Sequence, residues 1–173
     1  MTDRHTVYLS LGTNLGRRRQ NLNRAIRLIG RQVGEVTRKS DFLETEPWGF
    51  DSENPFLNAC VCVQTTLTPR QLLEVTQQIE RQMGRVKTLE PSPTEKRLRG
   101  RKHSSGWRGS ESTEGVSRVY HDRVIDIDIL LYDDLRVDEP DLQIPHPLMR
   151  QREFVMQPLR QISCSLWPNE SDK

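Results

Sequence analysis

The sequence predicts an α+β fold built on an antiparallel sheet, and three observations carry that expectation. Short apolar runs with strand character recur along the chain, two amphipathic segments at helical spacing separate them, and the order reads strand, helix, strand, strand, helix, strand. The 173 residues suffice for one domain with a hydrophobic core and are too few for two ordinary ones. Residues 1–173 are therefore expected to form a single unit.

Residues 6–11 read as the first strand, and the Gly12-Thr13-Asn14-Leu15-Gly16 turn leads into a helix over 20–33 with Leu22, Ile26 and Ile29 as its apolar stripe. Residues 36–43 form a less regular strand. The following loop, 44–55, is rich in chain breakers and holds Pro47, Trp48 and Gly49. Residues 56–66 form a third strand, on which Cys60 and Cys62 share a face as small apolar side chains. Thr68 suits an N-cap and Pro69 a first helical residue. Leu72, Leu73, Val75, Ile79 and Met83 then recur at helical spacing up to Gly84, a stop signal.

Over 88–119 the composition turns to Arg, Lys, Ser, Gly and Pro with almost no aliphatic residues, the signature of a flexible insertion that cannot form core. Residues 124–132 are a strongly apolar strand. Beyond them Pro140, Pro145, Pro147, Pro158 and Pro168 leave room only for a short helix near 149–154. The order of elements is the split βαβ pattern of ferredoxin-like folds. It predicts helices packed on one face of the sheet, ligands on the other, and a long loop inserted before the last core strand.

Charge excludes some classes. The chain carries 26 Lys and Arg against 24 Asp and Glu, so its net charge of +2 gives no field to draw nucleic acid or a membrane surface. No apolar run approaches the roughly 20 residues of a membrane span, so a soluble cytoplasmic protein is expected, and it is taken as a monomer although the sequence does not fix the oligomeric state. The three cysteines, Cys60, Cys62 and Cys164, form no CxxC pair and suggest neither disulfide nor zinc site.

The most informative stretch is Arg123-Val-Ile-Asp-Ile-Asp-Ile-Leu-Leu131. Positions two apart share a face of a strand, so Asp126 and Asp128 point one way while Ile125, Ile127, Ile129 and Leu131 point into the core. Burial of the isoleucines fixes the register. The two carboxylates then lie roughly 6 to 7 Å apart at Cα, within reach of two divalent ions about 4 Å apart. Oxygen ligands beside a phosphate substrate favour Mg²⁺. Arg85, Lys87, Arg123 and Arg152 flank this strand in sequence and suit a polyphosphate.

Several segments together make the pattern specific. They are 12–16; Glu44-Thr45-Glu46-Pro47-Trp48-Gly49; Asn54-Pro55-Phe56-Leu57-Asn58-Ala59; 80–86; 123–131; and Pro145-His146-Pro147-Leu148-Met149 with Arg152 and Phe154. In order and spacing they resemble the 6-hydroxymethyl-7,8-dihydropterin pyrophosphokinases of folate biosynthesis, from about Val7 to Ile162. That resemblance implies a ferredoxin-like fold and transfer of the β,γ-diphosphate of ATP to the pterin hydroxymethyl group, with AMP as product. It implies two Mg²⁺ ions on Asp126 and Asp128, with Arg85 and Arg123 joining them as catalytic residues. ATP would be held by Leu73, Gln77, Glu80, Lys87, Tyr120, Ile129, His146 and Arg152. The pterin would lie among Thr45, Glu46, Trp48, Phe56, Asn58 and Phe154.

The chain departs from that family in its long 88–119 segment and in Tyr120-His121-Asp122-Arg123, which stands where the family shows Trp-Gly-Pro-Arg. Either Tyr120 or Trp107 takes the stacking role of the missing Trp. Long charged loops beside an active site often close as lids, so ordering of 88–119 with substrates is expected. Two rival readings are an RNA-binding ferredoxin-like module and an inactive pterin-binding relative. Against the first, no RNP-like aromatic cluster is present and a central strand would carry two acids.

Overall fold

The computed structural model describes residues 3–48, 52–85 and 122–163. The segment of the expected insertion and lid, with Lys87, Trp107 and Tyr120, lies outside the described residues, as does Cys164. No helix among the described residues is long and apolar enough to cross a membrane.

Among the described residues, seven strands and three α-helices follow in order. They are β1 (His5–Thr13), α1 (Arg18–Gln32), β2 (Gly34–Lys39), β3 (Leu43–Thr45), β4 (Phe56–Thr65), α2 (Pro69–Gln82), β5 (Asp126–Tyr132), β6 (Val137–Glu139), β7 (Leu142–Ile144) and α3 (Glu153–Ile162). The main sheet runs β2-β4-β1-β5, with β3 pairing beside β4. Each pairing is antiparallel. β1 and β4 are almost continuously buried because helices cover both of their faces.

The first face carries the larger core. Leu22, Ala25 and Ile29 of α1, at spacings of three and four, and Leu72 and Ile79 of α2 pack on Val7, Leu9, Leu11, Val61, Val63, Ile127 and Ile129. α2 begins as the sequence predicts: Thr68 Oγ1 accepts from the Gln71 amide, and the Gln71 side chain accepts from the Thr68 amide, a closed capping box. It ends where Gly84, at φ 95°, turns the chain. There the Gly84 amide donates to Arg81 O and the Arg85 amide to Glu80 O, the two bonds of a Schellman motif.

Four expectations are corrected. The segment expected as one strand over 36–43 is two, because the four steps from Lys39 to Leu43 face only three on β4, from Val61 to Asn58. Ser40 occupies the break, its amide donating to Cys60 O and its Oγ accepting from the Cys60 amide. Helices also cover both faces rather than one: Val155, Met156, Leu159 and Ile162 of α3 pack on Tyr8, Cys60, Cys62 and Leu130. α3 runs through Pro158. An internal proline costs a helix about 3 kcal/mol, which burial of these apolar side chains, at roughly 1.5 to 3 kcal/mol each, offsets.

The third correction concerns β5. Its register with β1 pairs Leu9 with Ile129 but Tyr8 with Leu131, leaving Leu130 as an extra bulged residue. The alternation reverses there, so Tyr132 joins the first core and Leu131 packs with the second, not with the isoleucines. Finally, among the described residues β5 lies at the sheet's edge and not in its centre.

Candidate active site

The acidic pair occupies the start of β5, on a row that crosses the sheet. Asp126 stands opposite Gly12 on β1, which stands opposite Asn58 on β4; Asp128 stands opposite Ser10. Cross-strand partners share a face, so these small β1 residues leave the carboxylates and the Asn58 amide facing one another over a shallow floor. A Cβ on Gly12 would lie 3.2 Å from Asn58 Oδ1 and 3.7 Å from the Phe56 ring, so any larger residue would press on the Asn58 side chain.

An open cleft of about 510 Å³ rises from this floor. Thr45, Glu46, Trp48, Phe56, Asn58 and Phe154 line it, and so do Arg123, Asp126, Asp128 and Arg152. The structure thus brings together all six residues expected around the pterin and four of those expected around metal and phosphate. Asn58 Nδ2 donates to Thr45 Oγ1 at 2.9 Å, tying β3 to β4. The Arg152 guanidinium lies 4.9 Å from the Trp48 ring centre and 5.9 Å from that of Phe154. It also approaches Asp128 Oδ2 at 3.9 Å.

A second cleft, of about 540 Å³, opens on the outer edge of β5. Leu73, Ile129 and His146 line it, and Asp128 lines both clefts. His146 follows Pro145, whose peptide with Ile144 is cis, and its amide donates to Leu130 O at 3.0 Å. Gln77 is half-buried one turn after Leu73 on α2 and lines neither cleft, nor does Glu80.

Two arginines close on Asp126. Arg85 Nη1 donates to Oδ1 at 2.7 Å and Arg123 Nη1 to Oδ2 at 2.5 Å. Burial opposes the Arg85 charge, yet Asp126 and Glu80 together hold its pKa above the ordinary guanidinium value. Burial, and then the negative charge of Asp126, push the Glu80 carboxyl up to about 7. The same two causes raise Asp128, whose side chain keeps 35% of its surface exposed. Three carboxylates, Glu80, Asp126 and Asp128, and three guanidiniums, Arg85, Arg123 and Arg152, thus meet at this end of β5.

Sequence reasoning missed the supports of this site. Asn14 is buried; its amide donates to Arg123 O, its Oδ1 accepts from the Arg123 amide, and its Nδ2 donates to Asp122 Oδ1 at 2.7 Å. Asp122 also receives Ser52 Oγ and Asn54 Nδ2, so Arg123 is carried on a knot joining three loops. The sequence signal was the small polar character of Asn14, but its partners lie about a hundred residues away, beyond any local pattern. Ser10 and Gly12 were missed for the same reason: they matter through cross-strand register. The 12–16 segment, expected as a tight connection, begins inside β1.

Comparison with known proteins shows the family. The family model described as 7,8-dihydro-6-hydroxymethylpterin-pyrophosphokinase (HPPK) matches residues 8–98 and 94–164. A 2-amino-4-hydroxy-6-hydroxymethyldihydropteridine pyrophosphokinase of Porphyromonas gingivalis is 42% identical over 163 residues, covering 94% of this chain and 93% of the relative. One from Bacillus subtilis is 33% identical over 157 residues, covering 90% and 77%. Among solved structures, a wild-type Plasmodium falciparum HPPK-DHPS with pteroate superposes with a TM-score of 0.63 at 15% identity. It is covered over 92% of this chain and 41% of its own length, so the chain spans less than half of that protein, and the likeness shows the fold alone. By class, then, the chain is a pyrophosphokinase. It belongs to the 7,8-dihydro-6-hydroxymethylpterin-pyrophosphokinase family.

Proposed function

We propose that the chain transfers pyrophosphate from ATP to 6-hydroxymethyl-7,8-dihydropterin, giving the pterin diphosphate and AMP in folate biosynthesis, at the floor between the two clefts. One observation carries the placement of the chemistry: Asp128 belongs to both clefts, and the pterin candidates and the cationic residues meet around it. The pterin ring occupies the first cleft between Phe56, Phe154 and Trp48, with its edge read by Asn58 and Thr45. ATP enters along the open edge of β5, with adenosine toward Leu73 and Ile129 and phosphates toward His146, Arg85, Arg123 and Arg152. The strand order β2-β4-β1-β5 with α1 and α2 on one face supports the ferredoxin-like reading of the fold.

The donor set fits Mg²⁺. Asp126 and Asp128 supply hard oxygen ligands on one face, and the two neighbouring carboxylates would repel each other less with a cation between them. No group of three or more His, Cys, Asp or Glu suited to a metal lies among the described residues, so phosphate oxygens and water would complete the coordination. Two Mg²⁺ ions are the proposed complement, and when bound they would neutralise phosphate charge.

The hydroxymethyl oxygen attacks the β-phosphorus in line, and the protein acts mainly by positioning and charge neutralisation. Arg85 and Arg123, fixed at Asp126, offset charge developing on the transferred group. Arg152, beside the Trp48 and Phe154 rings, is placed where pterin and phosphate would meet. Lys87 and Tyr120, outside the described residues, are proposed to contribute to ATP binding. The chain is proposed to act as a single domain, a cytoplasmic monomer without nucleic-acid or membrane partners. Incubation with ATP, Mg²⁺ and the reduced hydroxymethyl pterin tests the reading. AMP should form in step with the pterin diphosphate; pterin-dependent ADP, or no nucleotide turnover, would overturn it.

A further inference from the structure

Glu80 is 3% exposed at the last turn of α2, and its partners explain how so buried a carboxylate is tolerated. Its Oε1 accepts the Ile127 amide at 2.8 Å. Ile127 lies between Asp126 and Asp128, and this amide points away from β1 at the open edge of the sheet. The same oxygen receives Arg85 Nη1, which also donates to Asp126 Oδ1 at 2.7 Å. The Glu80 main chain holds Arg85 again, through the Schellman bond from the Arg85 amide.

We infer that Glu80 is a positioning residue for phosphoryl transfer: it locks β5 to α2 between the two aspartates and aims Arg85 at Asp126, and it does not read the adenosine. The inference rests on the role proposed above for Arg85 and Asp126. It replaces the nucleotide contact that the family resemblance implies for Glu80, which lines neither cleft. A carboxylate also stands poorly at a helix C-terminus, where the macrodipole is negative, so its place there needs the two bonds it receives.

Four full-length proteins test this: wild type, Glu80→Gln, Arg85→Ala and the double variant. In Glu80→Gln the side-chain carbonyl still accepts the Ile127 amide, but no charge remains there for Arg85. We expect Glu80→Gln to lower kcat about 10-fold with KM for ATP changed less than about threefold, and to add almost nothing in the Arg85→Ala background. AMP binding by calorimetry should be unchanged. Wild-type kcat in Glu80→Gln, fully additive losses in the double variant, or weakened AMP binding would each overturn the inference. Nuclear magnetic resonance supplies a readout that needs no turnover. The Arg85 side-chain Nε–H signal should shift in Glu80→Gln while the Ile127 amide stays protected from exchange; an unmoved Arg85 signal contradicts the inference. Should wild type release no AMP, the proposed reaction fails, and these spectra still decide the positioning role.

Discussion

Single side chains set the chemistry. Asp128 joins the two clefts, and replacing it with Ala should lower kcat on the order of 10²-fold or more, measured as AMP release at saturating substrates, with the fold intact by circular dichroism. Gly12 is expected to bear mainly on the pterin, through Asn58. A Gly12→Ala Cβ must displace Asn58 Oδ1, so KM for the pterin should rise about 10-fold with KM for ATP nearly unchanged. Cys60 gives a negative control. Burial pushes its thiol up to about 12, so at pH 8 a fraction on the order of 10⁻⁴ is thiolate. Its tryptic peptide should stay unalkylated after native iodoacetamide treatment, and rapid labelling would contradict the burial. At this scale the acids were legible because a period of two places Asp126 and Asp128 together whatever the tertiary fold. The residues that hold Arg123 were not, since Asn14 meets Asp122 only after the chain has closed.

Among the elements, α2 was the most legible because its boundaries are written locally, in Thr68, Pro69, Gln71 and Gly84. Removing its capping box with Thr68→Ala should cost about 1 kcal/mol in urea unfolding. Gly84→Ala should cost a comparable amount, because a side chain is strained at φ 95°. It should also lower kcat more than Thr68→Ala does, since Gly84 alone sets the turn that delivers Arg85. Equal kcat in the two variants would argue against that coupling. α3 was illegible because Pro158 signals a stop that local propensity cannot override; only its burial against β4 and β1 does so. The bulge at Leu130 likewise leaves no mark in an all-apolar run.

For the whole molecule, the order of strands and helices carried the antiparallel sheet, since short connections allow few arrangements. The cleft geometry was less accessible. The first cleft needs α3 behind Arg152 and β3 beside β4, and neither element was predicted with its observed bounds. The second needs the β6–β7 hairpin, whose three-residue strands fall below any useful periodicity. The two aspartates are the proposed place where cations meet phosphate. The most direct measurement is a crystal grown with Mn²⁺, a non-hydrolysable ATP analogue and the pterin, with the metal located by its anomalous scattering. Two peaks about 4 Å apart, touching Asp126, Asp128 and the triphosphate, are the predicted result. Peaks elsewhere, with both carboxylates still occupied by arginine alone, would contradict it.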